Sequence, residues 1–203
     1  MNRSINELSL DVYRIKNGEG NDSNIDGSPY LADDFANGNI YYEGKYEVSD
    51  VPLRYNIFND EMEFKIKEII MAIANPKKLD KVLIGEEVFV FLNMQNGSDP
   101  SGYAKKWNSG YPALLTKMKV IFQDQEAPKA YVDAKPARFV RSNDEHFVMV
   151  APEKIEDVKS VKKLIEALGG NQQELTAFAK KEKISANKPE ELSRLLDFYQ
   201  KLK

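Results

Sequence analysis

A chain of 203 residues with 42% hydrophobic and 30% charged side chains is long enough to bury one substantial core plus a small appendage, and too apolar to remain disordered. Its formal charge of -3 excludes a general electrostatic attraction for nucleic acid or anionic lipid, and the absence of cysteine excludes thiol catalysis, disulfides and thiolate metal sites. No apolar run reaches the roughly 18 residues a membrane-spanning helix requires, and no basic-then-apolar signal segment opens the chain.

The first distinctive stretch, DSNIDGSPYLAD, follows the template of a calcium loop. Asp22, Asn24 and Asp26 stand at loop positions 1, 3 and 5, Gly27 at position 6 and Asp33 at position 12. The template also requires flanking helices, a bidentate Glu at position 12 and a backbone N–H at position 8. Here position 8 is Pro29, which has no N–H, position 12 is the shorter Asp33, and the upstream flank runs into Gly18 and Gly20. The stretch reads as a polar loop that turns on Gly and Asp, with no metal.

From about Asn37 to Val150 the pattern is one of short alternating segments rich in Tyr, Phe, Val and Ile, divided by turn residues. That is the signature of antiparallel strands. In VPLRYNIFNDEMEFKIK a two-residue turn at Asn59 and Asp60 predicts Ile57 opposite Met62, Tyr55 opposite Phe64 and Leu53 opposite Ile66, an apolar face throughout. The other face then carries Arg54 opposite Lys65 and Asn56 opposite Glu63, with Arg54 leaning diagonally to Glu63. Weaker hairpins turn at Glu43 and Gly44, setting Tyr41 against Tyr46, and near Gly85 and Glu86, setting Leu83 against Val88. YPALLTKMKVIF, ARFVRS and HFVMV read as further strands, and Pro52 is expected at the start of its strand, where a missing donor costs little. Seven to nine such strands with short connections predict a curled antiparallel meander, open or half-barrel-like.

After Pro152 the period changes to 3 and 4. A first helix is predicted from about Glu153 to Leu168, with Ile155, Val158, Val161, Leu164, Ile165 and Leu168 on one stripe and a stop at Gly169 and Gly170. Asn171 is placed to cap a second helix burying Leu175, Phe178 and Ala179. Asn187 and Glu190 form a capping box for a third, which has Pro189 in its first turn and Leu192, Leu195, Leu196 and Tyr199 as its stripe. Three short helices suggest a DNA-binding helix-turn-helix, but the segment holds 11 basic and 9 acidic residues, too even a balance for a phosphate footprint. The predicted class is therefore α+β, with a sheet domain over residues 1–151 and a helical segment over 152–203. A segment of that size has a marginal core alone and is expected to dock on the sheet.

GSPYL with Phe35 and Gly38, followed by VPLRYNIFNDEMEF and a Leu-Leu-x-x-Tyr ending, resembles a large uncharacterised family of small exported proteins from Bacteroidota. The matching positions are Gly27, Pro29, Tyr30, Leu31, Arg54, Tyr55, Asn56, Asp60, Met62 and Glu63, with Leu195, Leu196 and Tyr199 at the end. The resemblance implies a periplasmic or secreted protein whose signal peptide has been removed, and it carries no assigned activity.

Chemistry-bearing residues are sparse. His146, the single histidine, stands beside Asp144 and Glu145 and is expected at the surface of a turn; a zinc site here would need carboxylates almost alone. No nucleophile elbow, phosphate-cradling loop or dinucleotide fingerprint occurs, and the serine of NGSDPSG has no base beside it. One polar set shares a predicted face: Arg54, Asn56 and Glu63. If that face is concave, the Arg fork suits a ligand carboxylate or peptide amide; otherwise it is the solvated side of an antiparallel sheet. The sequence thus implies no catalytic residues, no metal and no cofactor. Two readings follow: a non-enzymatic extracytoplasmic binding or envelope-associated interaction protein with an unknown protein partner, or a carrier of lipid or another hydrophobic small molecule in a half-barrel cavity. Neither involves nucleic acid or a transmembrane segment.

Overall fold

The computed structural model describes residues 13–16, 25–44, 46–93, 101–127, 135–152 and 154–203. Their strands are β1 (Tyr13–Ile15), β2 (Ala36–Tyr42), β3 (Tyr46–Asn56), β4 (Glu61–Ile66), β5 (Ile69–Ile73), β6 (Leu79–Ile84), β7 (Glu87–Leu92), β8 (Gly102–Lys106), β9 (Ala113–Lys117), β10 (Val120–Gln123), β11 (Arg138–Arg141), β12 (Glu145–Ala151) and β13 (Lys154–Asp157). The helices are α1 (Val161–Leu168), α2 (Gln172–Lys181) and α3 (Pro189–Lys201). The class is α+β, an antiparallel meander followed by three helices. None of the helices is long and apolar enough to cross a membrane.

Two compact units divide the chain, one made of Met1–Phe91 with Met118–Asn143, the other of Leu92–Lys117 with Asp144–Lys203. In the first, strands lie in the order β1-β5-β4-β3-β2-β6-β7, paired antiparallel, and β10 pairs with β11 as a separate ribbon. Leu53, Tyr55, Met62 and Phe64 are buried on one face of β3 and β4 with Val82 and Phe89, and the Tyr55 and Phe89 rings lie 5.6 Å apart.

The β3–β4 hairpin keeps the predicted faces and changes the predicted register. Leu53 faces Phe64, Arg54 faces Glu63, Tyr55 faces Met62 and Asn56 faces Glu61, so the connection has four residues, Ile57 to Asp60, in place of two. Side chains close the wider loop: Asn59 N–H donates to Asn56 Oδ1 at 3.0 Å and Tyr55 Oη donates to Asp60 Oδ1 at 2.7 Å. A shift of two residues leaves every side chain on its own face. It also sets Arg54 opposite Glu63, where the two-residue turn would set it opposite Lys65.

Three other details differ from expectation. Tyr42, not Tyr41, pairs with Tyr46, because the turn is drawn towards β6 by hydrogen bonds from Glu43 N to Lys78 O and from Gly44 N to Asp80 Oδ2. Pro52 lies well inside the 11-residue β3, beside an irregularity in the pairing between Gly38 and Ile40. There Asp50 takes a φ of 57°, a bulge that accommodates the missing donor. Crowding at the same place explains Gly38, since a Cβ there would sit 1.9 Å from Leu83 O. The strand β1 lies upstream of the region read as strands and pairs with β5. By contrast the β6–β7 hairpin has the expected register, Leu83 opposite Val88.

In the second unit β9 pairs with both β8 and β12, and β13 adds to β12. The first helix is half its predicted length. Residues 154–157 form β13, with Ile155 opposite Met149, and the helix begins only after Ser160, whose Oγ accepts from Lys163 N. Gly169, at φ 63°, ends it. Neither downstream side-chain cap forms: Asn171 is the N-cap of α2 by position only, and at α3 the Ser185 N–H is taken by Glu191 in place of an Asn187–Glu190 box. The helical stripes are as predicted from Leu164 onward, except that Phe178 is only half-buried, while Ile155 and Val158 lie outside α1. Leu164, Ile165, Leu168, Leu175, Leu192, Leu195 and Leu196 form one buried cluster with Leu114 of β9 and Val148 of β12, and Tyr199 Oη donates to Leu168 O, tying α3 to the end of α1.

Truncating that cluster leaves a cavity in a packed core, so Leu195→Ala should lower unfolding free energy by about 2–5 kcal/mol. Leu202→Ala, at a side chain 36% exposed, should change it by less than about 0.5 kcal/mol. Urea denaturation of both variants makes the comparison, and equal losses would mean that the helices share no core.

Candidate functional site

Arg54, Asn56 and Glu63 are brought together, but not in water. Their relative exposures are 9%, 2% and 0%, which overturns the solvated-face expectation. The cover comes from the GSPYL segment. Pro29 O accepts from Ile57 N and Phe58 N, and Leu31 N donates to Tyr55 O, so residues 29–31 run alongside the end of β3 and Tyr30 bridges to Asn56. The Arg54 guanidinium then lies 3.7 Å from the centre of the Tyr30 ring and 4.5 Å from that of Phe35, a geometry in which both aromatic faces favour the cation.

The donors of this cluster converge on one carboxylate. Arg54 Nε and Nη2 each stand 2.8 Å from Glu63 Oε2, and Asn56 Nδ2 donates to Oε1 at 3.1 Å. Lys16, just beyond β1, also reaches Oε1 and lies 3.3 Å from Glu61 Oε2. Arg54 further donates to Tyr30 Oη at 2.8 Å and to the Asp33 carbonyl at 3.3 Å. The named polar groups of Arg54, Asn56 and Glu63 are thus engaged by protein partners in an ion network, whose neighbouring Glu61 Oε2 is buried with an ion-pair contact to Lys16 and, among the described residues, no hydrogen bond. Sequence reasoning missed Lys16, Tyr30 and Phe35 as its members; the aromatic residues after Pro29 were the signal for the last two.

His146 is buried at 5% exposure, which corrects the expected surface position. It lies on β12 opposite Thr116 of β9. Trp107 Nε1 donates to Thr116 Oγ1 at 2.7 Å, and Thr116 Oγ1 lies 2.9 Å from His146 Nδ1. Indole is a donor only, so Thr116 Oγ1 accepts from Trp107, and its contact with His146 Nδ1 donates or accepts according to the ring's tautomer. Burial pushes the His146 pKa below its ordinary value, against the smaller opposing effects of Asp144, the Asn187 backbone and Glu190.

Among the described residues no group of three His, Asp or Glu side chains is placed to hold a metal ion. Of the calcium-like loop, Asp22 and Asn24 lie outside the described residues, as do Asn96 to Pro100 of NGSDPSG. Asp26 pairs with Arg138 through backbone hydrogen bonds on either side, and Asp33 accepts from Ser28. Gly27, at φ 77°, has no room for a side chain, since a Cβ would lie 2.3 Å from Phe139 O.

Among the described residues, two surfaces stand open. In the first unit Phe58, Phe122 and Phe139 form a triangle with ring centres 5.2 to 6.5 Å apart, two of them well exposed. In the second, a cleft of about 550 Å³ opens between α1 and α2. Val161, Ile165, Ala179 and Ile184 supply its apolar lining, and Lys162, Lys180 and Lys183 stand around it. Its carboxylate, Glu166, is already taken by Lys163 and Lys162, which hold its pKa below the usual carboxylate range. Compared with known proteins, the chain matches no family model, no curated protein and no solved structure.

Removing one member of the Glu63 network strands the others as buried charges. Glu63→Gln should therefore cost about 3–5 kcal/mol, and the double variant Arg54→Met with Glu63→Met should cost less than the sum of its single changes. A double-mutant cycle by chemical denaturation reads both; additive losses would mean that the pair is not coupled.

The lowered His146 pKa has a sign. Between the ordinary value of about 6.5 and the lower folded value, the unfolded chain binds more protons, so stability falls as pH falls through that window. Denaturation midpoints at pH 7.5 and 5.5 should drop for the native protein. The drop should shrink in His146→Gln, and an unchanged slope would show that His146 is not its source.

Proposed function

We propose that this is a non-enzymatic extracytoplasmic binding protein and that the α1/α2 cleft is its binding site. The observation that carries this reading is the cleft itself, whose volume of about 550 Å³ falls inside the range of small-ligand pockets, roughly 300–1,000 Å³. Four apolar side chains line it beside polar and charged ones, and a mixture of apolar surface with orienting polar groups is what such sites use. The polar cluster at Arg54 supports the same reading from the other side: its donors and acceptors are engaged with one another, which leaves them poorly placed to recognise a ligand. The extracytoplasmic setting rests on the family resemblance of the GSPYL and RYN segments.

A carrier reading is favoured only in a form that uses this cleft. The apolar face of the first unit is filled by Leu53, Tyr55, Met62 and Phe64, each at 2% exposure or less, which speaks against a ligand held on that face.

Native mass spectrometry of protein purified from its own host tests the proposal. A retained small molecule should be seen on the native protein and be absent from Thr176→Trp, an exposed position where the indole fills the cleft. Identical spectra for the two proteins would overturn it.

A further inference from the structure

We propose that the α1/α2 cleft takes a single-chain amphiphilic anion, an alkyl carboxylate, with its tail against Val161, Ile165, Ala179 and Ile184 and its head group at Lys180 and Lys183. The inference rests on the binding reading above and names the ligand class.

Three observations select this occupant. The first is charge. The carboxylate at the cleft, Glu166, is engaged by Lys162 and Lys163, and among the described residues Lys180 and Lys183 have no carboxylate partner. Glu182, which lies between them in sequence, is turned to Arg194 at 3.8 Å. A cationic edge beside an apolar lining suits a ligand with one negative end and one apolar end.

The second is size. α1 has eight residues and is about 12 Å long, and ten residues line the cleft. A specific protein partner would engage roughly 20–30 residues a side, so the site is too small for a standard protein interface and suits a chain of modest length. The third is polarity along the cleft. Val161 and Lys162 come from the first turn of α1, where the free backbone N–H groups carry positive partial charge and no acidic residue opposes them. They line the cleft together with Lys180 from the last turn of α2 and with Lys183 and Ile184 just beyond it, where the full charges of the lysines outweigh the negative partial charge of the helix's own last carbonyls.

The experiment is a titration of the full chain with sodium decanoate, decanol and decyltrimethylammonium, each below its aggregation concentration, followed by backbone amide chemical shifts. Decanoate should shift Val161, Ile165, Ala179 and Ile184 saturably and bind more tightly than either other probe. Lys180→Gln with Lys183→Gln, both at exposed positions, should weaken decanoate about tenfold, equivalent to about 1.4 kcal/mol, and leave decanol unchanged. Equal binding of decanoate and decanol, indifferent to the double variant, would overturn the anion inference and leave the binding reading standing. No saturable shift at the cleft with any probe would overturn both.

Discussion

The buried charge of Glu63 is the constraint around which the first unit is built. A carboxylate with no exposure to water is tolerated only when opposite charge and hydrogen-bond donors replace its hydration, and here Arg54, Lys16 and Asn56 do so. Each donor fixes a different piece of chain. Arg54 fixes the β3–β4 register, because its strand must stand opposite Glu63. Lys16 ties in the short strand β1, which at three residues has little pairing of its own. Tyr30 and Phe35, stacked on the guanidinium, fix the course of the segment before β2. The network is a device for position more than for raw stability, since a well-packed apolar replacement of such a pair is often as stable.

The same network shows where sequence reasoning held and where it stopped. Alternation sorted Leu53, Tyr55, Met62 and Phe64 from Arg54, Asn56 and Glu63, and the structure keeps that sorting. Period 2, however, is blind to a slip of two residues. What decides between the two registers is the opposition of Arg54 to Glu63 or to Lys65, and Asn56 capping Asn59 from within the loop. The burial of the polar face was not legible at all, because the cover comes from residues 29–35. No local pattern in β3 or β4 announces that a third segment lies across them. His146 illustrates the same limit. Asp144 and Glu145 beside it suggested a surface turn, yet its surroundings are set by Thr116 and Trp107, some 30 and 39 positions earlier in the chain.

The helical stripes were legible because a 3.6 period is sampled several times even in a short helix, and Leu192, Leu195, Leu196 and Tyr199 are all buried. The start of α1 was not. In the stretch from Lys154 to Leu168 the spacing of Ile155, Val158 and Val161 fits a helix, but β12 offers an unpaired edge directly before it, and Pro152 lies in the turn between them. Backbone hydrogen bonds to that edge satisfy residues 154–157 as a strand, and Ser160 supplies a helix start that Glu153 lacks.

That choice between strand and helix has a consequence for the candidate site. A helix running from residue 153 to 168 would have about two further turns at its N-terminal end, and those turns would carry Ile155 and Val158 towards neighbouring helices. With 154–157 drawn into β13, α1 begins at Val161, and the last turn of α2 with the residues after it, Ala179 to Ile184, faces the bare start of α1. The cleft thus lies beside a helix start set by an edge strand that takes residues 154–157 from the helix the sequence predicts. Its position beside an uncapped pair of lysines follows from the chain direction of two short helices, a relation that neither helix shows when read alone.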